Sequence, residues 1–279
     1  MHDDVWYVVG GEPLLALALE MLRHRDAASP AELHMRADFR AQFVANFEHA
    51  IAAIPGTELR HEHACHRKEL YVVIDHQPWV LSGSSNFSHN SLWNTIEDAI
   101  VYRVGSLNVT RLLPRGDQLA LGNVLTRFEQ ADKIWLFMDY LHDQFVRALP
   151  VAFQKHMGRT IKLLYTNRRP SGTSFCTKIL DSNRTPADVR WVELSRSGMT
   201  LLHTKTAILK QDDAWTLVTG SFNMTPDASH PLRPGNAGDV VNIVTIDSKK
   251  TAVAVRDRLK NEVERRETPL RPDAGPDEP

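Results

Sequence analysis

Short apolar runs alternate with longer amphipathic stretches along this chain, and the two rhythms predict strands and helices. Residues 5–9 (VWYVV) form an apolar run of strand length, and residues 13–23 carry apolar side chains at helical spacing behind a proline suited to a first helical turn. The same pattern predicts a strand at 32–36, a helix at 39–54 and a strand at 58–63. Beyond residue 130 it restarts, with a strand at 133–138 (KIWLFM), an amphipathic helix at 143–156, and strands at 160–165 and 189–194. Strands alternating with helices predict an α/β fold whose mainly parallel sheets are covered by helices. Residues 107–117 read as the link between the two stretches, and residues 268–279, with four prolines in twelve positions, read as a disordered tail.

The restart is an internal repeat. Residues 66–88 (HRKELYVVIDHQPWVLSGSSNFS) overlie residues 203–225 (HTKTAILKQDDAWTLVTGSFNMT) at an offset of 137 without a gap. The six identities are His66/His203, Lys68/Lys205, Asp75/Asp212, Gly83/Gly220, Ser84/Ser221 and Asn86/Asn223. Chance would give about one or two, and would not select only polar residues and glycine. After a five-residue insertion, Asn94-x-x-Glu97 before an apolar run matches Asn236-x-x-Asp239 before another. Each repeat reads as a hairpin: a strand bearing H-x-K, a turn, and a second strand running into G-S-x-N. Period-two geometry puts His and Lys on one face, with Arg67 or Thr204 turned away.

The doubled H-x-K…G-S-x-N pattern resembles the phospholipase D superfamily, whose members break or exchange phosphodiester bonds at a site made by two such motifs. The resemblance covers roughly residues 5–250. It implies two pseudo-symmetric phospholipase D-like halves, residues 1–110 and 111–267, each a mainly parallel sheet flanked by helices, with the active site at their interface. It also implies that His66 is the nucleophile, forming a phosphohistidine, and that His203 is the general acid. Glu97 and Asp239 match the carboxylate that, in this family, hydrogen-bonds a histidine and fixes its tautomer.

The residue types suit that chemistry on their own account. Cleaving a phosphodiester needs a nucleophile, an acid for the leaving oxygen, and positive charge on the oxygens that stay with phosphorus. Imidazole titrates near neutrality, so one ring can attack while the other donates a proton. Lys68 and Lys205 supply compact charges, Asn86 and Asn223 donate amide hydrogens to the same oxygens, and the Ser84 and Ser221 hydroxyls are expected to orient the opposite face of the site. No metal and no cofactor is called for. The hairpins are three residues longer than the usual motif, with six residues between Lys and Asp and seven between Asp and Gly in both copies. Asp75 and Asp212 therefore read as turn residues. Longer hairpins with displaced aspartate also occur in nuclease-like and DNA-repair branches of the superfamily.

Composition narrows the partners. Lys and Arg total 33 against 34 Asp and Glu, so nothing global draws the chain to an anionic surface. That balance favours phospholipid hydrolysis or phosphatidyl transfer, since non-specific nucleases are usually basic; a metal-independent nuclease or DNA-repair phosphodiesterase is the alternative, and a non-catalytic binding module a minor third. Locally, Lys155, Arg159, Lys162, Arg168, Arg169 and Lys178 fall in a stretch without an acid, and Arg168 and Arg169 are expected to reach the substrate at the site's rim. His61, His63 and His66 read as a polar strand edge, since no matching ligand set accompanies them. Cys65 and Cys176 read as free thiols, and Trp79, Trp93 and Trp215 as core. With no signal peptide and no apolar run long enough to span a bilayer, a cytoplasmic protein is expected, with at most peripheral membrane contact. Two motifs in one chain complete a site without a partner, so a monomer is expected.

Overall fold

The computed structural model describes residues 2–35, 41–59, 66–113, 118–138, 146–147, 149–155, 157–166, 178–179, 191–193, 202–222 and 239–266. The first half contains β1 (Val5–Val9), α1 (Gly11–His24), β2 (Glu32–His34), α2 (Ala45–Ala52), β3 (Glu58–Leu59), β4 (Glu69–Ile74), β5 (Gln77–Gly83) and β6 (Asp98–Arg103). The second contains β7 (Val109–Leu112), α3 (Gln118–Glu129), β8 (Lys133–Met138), β9 (Ile161–Thr166), β10 (Trp191–Glu193), β11 (Lys205–Gln211), β12 (Ala214–Gly220), β13 (Val241–Ile246) and α4 (Lys249–Arg266).

The strands form two sheets, ordered β1-β6-β5-β4-β2-β3 and β7-β13-β12-β11-β8-β9-β10. The second order repeats the first and adds β10 at its edge. The α/β class therefore stands, but the mainly parallel sheets do not. Only β2/β3 in the first sheet, and β8/β9 and β9/β10 in the second, run parallel. Every other pair is antiparallel. The strand–helix alternation upstream of each motif does give a parallel crossover. The three strands from each motif onward lie side by side and antiparallel, and they outnumber the parallel ones. Residues 107–117 are also more than a link, because Val109–Leu112 is the edge strand β7, paired with β13.

Two predicted helices differ in the structure, one starting later and one interrupted at Leu149 and Pro150. The helix expected at 39–54 begins at Ala45, because Phe43 is held in a bridge to Ser88. In the helix expected at 143–156, a helical turn spans Val151–Gln154 directly after Pro150, which lacks the N–H an uninterrupted helix needs there. The expected tail at 268–279 lies outside the described residues.

Alternation within the strands sorts the core into three layers. Leu70 and Val72 of β4 face α1 and α2, packing with Leu14, Ala18, Phe47 and Phe87. Ala207 and Leu209 of β11 face the other way, with Val124, Phe128 and Phe153. Between the sheets, Val80, Ile100 and Tyr102 from the first meet Ile208, Leu217 and Val244 from the second, with Val255, Leu259 and Val263 of α4 closing the side. The halves are thus welded by a shared apolar layer. The two-residue turns at 75–76 and 212–213 bear out the turn reading of Asp75 and Asp212, whose φ values are both +50°. Asp26 accepts the Asp75 and His76 N–H groups at 3.0 Å each, and Asp132 accepts the Asp212 N–H at 2.7 Å, so each tip is tied by an equivalent carboxylate.

Candidate active site

His66 and Lys68 stand just before β4, and His203 stands just before β11, whose first residue is Lys205, so each motif occupies a strand mouth. Each hairpin leaves through Gly-Ser, and close approach explains the pair. A Cβ at Gly83 would lie 2.3 Å from the Asp98 oxygen, and one at Gly220 would lie 2.3 Å from the Val240 oxygen. Gly220 also has a φ of +146°. The next residue uses that proximity: the Ser84 N–H donates to the Asp98 carbonyl and the Ser221 N–H to the Val240 carbonyl, each at 3.0 Å. The serine hydroxyls accept the N–H groups of Asp98 and Val240, again at 3.0 Å.

Each hydroxyl then donates to a carboxylate, Ser84 to Glu97 and Ser221 to Asp239 Oδ1 at 3.2 Å. Both serines are completely buried. They hold the carboxylates, which corrects the expectation that they orient substrate.

The carboxylates cross between the halves. Glu97, from the first half, meets Nδ1 of His203 with both oxygens at 3.0 Å. Asp239, from the second, meets Nδ1 of His66 at 2.5 Å. A main-chain bond from the His203 N–H to the Ile96 oxygen, 3.0 Å, docks the second motif beside Glu97. An ionised carboxylate only accepts, so each Nδ1 carries a proton and each Nε2 is left for chemistry. The rings keep 29% and 20% side-chain exposure while the carboxylates keep 4% and 0%, so each ring is partly open to solvent and its anchor is not.

The field in the site separates the charges. The Lys68 ammonium, then burial, push the His66 ring down to about 4 against the pull of Asp239, so Nε2 carries a lone pair at neutral pH. Burial alone would raise Glu97. His203, Lys205 and the Ser84 hydroxyl outweigh it and hold the carboxyl at about 2. Lys205 acts on both His66 and Glu97, so the two motifs share one field. The lysine side chains are buried, and each Nζ donates to the main-chain oxygen of its own histidine, at 2.7 Å for Lys68 and 2.5 Å for Lys205.

Asn86 is half-buried, and its Oδ1 is enclosed without a hydrogen-bond partner among the described residues. The following Phe87 adopts a φ of +52° and stacks on Phe47 at 4.3 Å, so apolar packing holds the left-handed turn that aims Asn86. Asn223, Arg168, Arg169, Cys65, Cys176, His61 and His63 lie outside the described residues. Among the described residues, no group of three or more His, Cys, Asp or Glu gathers as a metal site, and no helix is long and apolar enough to cross a membrane. Of the three tryptophans expected in the core, Trp215 is buried against Trp135 and Trp79 is half-buried against Trp6. Trp93 is instead 40% exposed and stacks on His89.

Some residues at the site are not predicted by the motifs. Thr95 Oγ1 donates to Glu97 Oε1 at 2.8 Å, giving that carboxylate a second hydroxyl. Asp98 collects hydroxyls from Tyr7, Thr206 and Thr219 beneath the site. Arg111 of β7 grips Glu69 of β4 with two bonds, 2.9 and 2.6 Å, across the halves. The sequence signal for Asp98 and Glu69 is a polar residue at an inward-facing position of an otherwise apolar strand; Thr95 lies outside the strands and has no such signal.

No family model matches the sequence, and no curated protein matches it. Among solved structures, the chain is similar to a polyphosphate kinase from Porphyromonas gingivalis, with a TM-score of 0.50 and 11% identity over 93% of this chain. It spans 50% of that enzyme's length. It is also similar to Nuc, a phospholipase D family member from Salmonella typhimurium (TM-score 0.37, 20% identity, 56% of this chain and 93% of that one). A third similar structure is NucT from Helicobacter pylori (TM-score 0.37, 16% identity, 56% of this chain and 95% of that one). The likeness to the polyphosphate kinase shows a shared fold.

Proposed function

We propose that this chain is a phosphodiesterase working through a covalent phosphohistidine. The observation that carries this reading is the reciprocal pairing, in which each half lends its carboxylate to the other half's histidine. Nε2 of His66 attacks phosphorus, and the bond to the leaving oxygen breaks as His203 gives that oxygen its proton. Water or an alcohol then attacks, its proton passes to His203, and the P–N bond breaks. Lys68, Lys205, Asn86 and, by its place in the repeat, Asn223 stabilise the charge on the remaining oxygens. Asp239 and Glu97 keep the rings in the working tautomer, and Arg168 and Arg169 extend the site toward substrate.

For the substrate, the near-neutral chain supports phospholipid hydrolysis or phosphatidyl transfer. A nucleic acid is the second reading, favoured by the exposed Trp93 stacked on His89 at 4.8 Å, four residues before Glu97, where a base can stack. The test pairs a fluorescent phospholipid with single-stranded and plasmid DNA, each with and without EDTA, for the wild type and His66→Ala. Cleavage of one substrate class, abolished by His66→Ala and indifferent to EDTA, is expected. Activity that survives His66→Ala overturns the reading.

A further inference from the structure

Asp98 is a buried carboxylate without an obvious reason to be one. It is completely buried, it follows Glu97 directly, and its Oδ2 receives hydroxyls from Tyr7 at 3.0 Å, Thr219 at 2.8 Å and, closer still, Thr206. Its Oδ1 has no partner among the described residues. Burial holds the carboxyl above its ordinary value despite the pull of the three hydroxyls. Elsewhere between the halves, the buried Glu69 is matched by Arg111, whereas no cation forms an ion pair with Asp98 among the described residues. A buried carboxylate held by hydroxyls alone, without an ion-pair partner among the described residues, is costly, which calls for a function.

The repeat supplies an internal control. Val240 occupies the equivalent place in the second half, is equally buried, and makes the same two main-chain bonds to Ser221 that Asp98 makes to Ser84. The fold therefore does not need a carboxylate at this position. What the carboxylate adds is a tie across the halves. Thr206 directly follows Lys205, Thr219 directly precedes Gly220, and the two hydroxyl oxygens lie 2.9 Å apart. We propose that Asp98 is a positioning residue for the second motif: by drawing Thr206 and Thr219 onto the first half, it sets where His203 and Lys205 stand relative to Glu97. This rests on the phosphodiesterase reading only for its kinetic consequence.

The test substitutes the residue that the second half uses, Asp98→Val, and the near-isostere Asp98→Asn, which keeps a carbonyl acceptor. With bis(p-nitrophenyl) phosphate as probe, Asp98→Val is expected to lower kcat about 10²-fold with KM within about threefold, as for a catalytic group displaced by about an ångström. Asp98→Asn is expected to recover kcat to within about tenfold of wild type. The low-field Nδ1 proton resonance of His203 should shift in Asp98→Val and return toward wild type in Asp98→Asn. If Asp98→Val does not fold, Thr206→Val replaces it, with a kcat loss of about tenfold or more expected. A folded variant with wild-type kcat and an unmoved His203 resonance overturns the proposal, as does a melting-temperature loss without either change. If the wild type cleaves no diester, the activity reading fails by itself, and the His203 resonance alone decides the role of Asp98.

Discussion

Replacing Glu97 by Gln tests the crossed pairing with almost no change in shape. The carboxylate sits 3.0 Å from Nδ1 of His203 with both oxygens and accepts two hydroxyls besides. Coulomb attraction between a full carboxylate and an imidazolium at 3.0 Å is about 332/(20 × 3.0), or roughly 5.5 kcal/mol, at an effective dielectric of about 20. Part of that is already offset by desolvation, so a loss of about 4–5 kcal/mol in transition-state stabilisation is expected, equivalent to about 10³–10⁴ in rate. A comparable drop, about 10⁴ in kcat, follows the same carboxylate-to-amide change in the serine protease triad, where the histidine adopts the wrong tautomer. Because Glu97 is ionised above about pH 2, the deficit should be equal at pH 5 and pH 8. The assay is kcat on a nitrophenyl diester, with thermal melting as the folding check. Melting should fall only modestly, since the amide keeps the shape and loses about 1–3 kcal/mol of hydrogen bonding. A well-folded Glu97→Gln protein with kcat within tenfold of wild type refutes the reasoning.

Three further outcomes are expected. His66 is held down to about 4 chiefly by Lys68, so its protonation should quench the rate as pH falls through about 4, and an imidazole NMR titration of Lys68→Met should move back toward 6.5. The sign for folding is the same: the depressed value contributes stability that is complete above 6.5 and is lost as pH falls toward 4, which acid titration of the melting temperature checks. Gly220→Ala forces a Cβ to 2.3 Å from the Val240 oxygen at a φ of +146° and should cost about 3 kcal/mol or more by urea unfolding, whereas Gly105→Ala, at φ +87° with open space around it, should cost only about 1–2 kcal/mol. Asp26→Ala removes two hydrogen bonds from the first hairpin tip and Asp132→Ala one from the second, so losses of about 2 and about 1 kcal/mol with unchanged kcat are expected.

The sequence made the site more legible than the sheets. His66, Lys68, His203 and Lys205 were marked by a repeat of polar identities, and Glu97 and Asp239 by matching carboxylates after an insertion; polar residues that recur in this way inside apolar runs have few reasons to do so other than chemistry. That the carboxylates exchange partners was not legible, because only the packing of one half against the other decides which histidine each meets. Strand direction was misread because helices upstream of each motif signal parallel crossovers, while β4–β6 and β11–β13 carry no marker beyond tight turns. The serines were misread for a related reason. A hydroxyl beside a catalytic motif looks available until Gly83 and Gly220 are seen to bring Ser84 and Ser221 onto the next strand and bury them. Pro150 was a visible helix breaker inside a convincing amphipathic pattern, and the breaker prevailed.

The most direct measurement of the central claim is the mass of the covalent intermediate. His203→Ala incubated with bis(p-nitrophenyl) phosphate has a leaving group that departs without acid help, yet lacks the base that activates water, so the adduct should accumulate. Mass spectrometry after a denaturing quench at alkaline pH, where the acid-labile P–N bond survives, should then find one nitrophenyl phosphoryl group, carried on the peptide that contains His66 and absent from His66→Ala. A burst of nitrophenolate with no adduct, or an adduct on any other residue, contradicts the account.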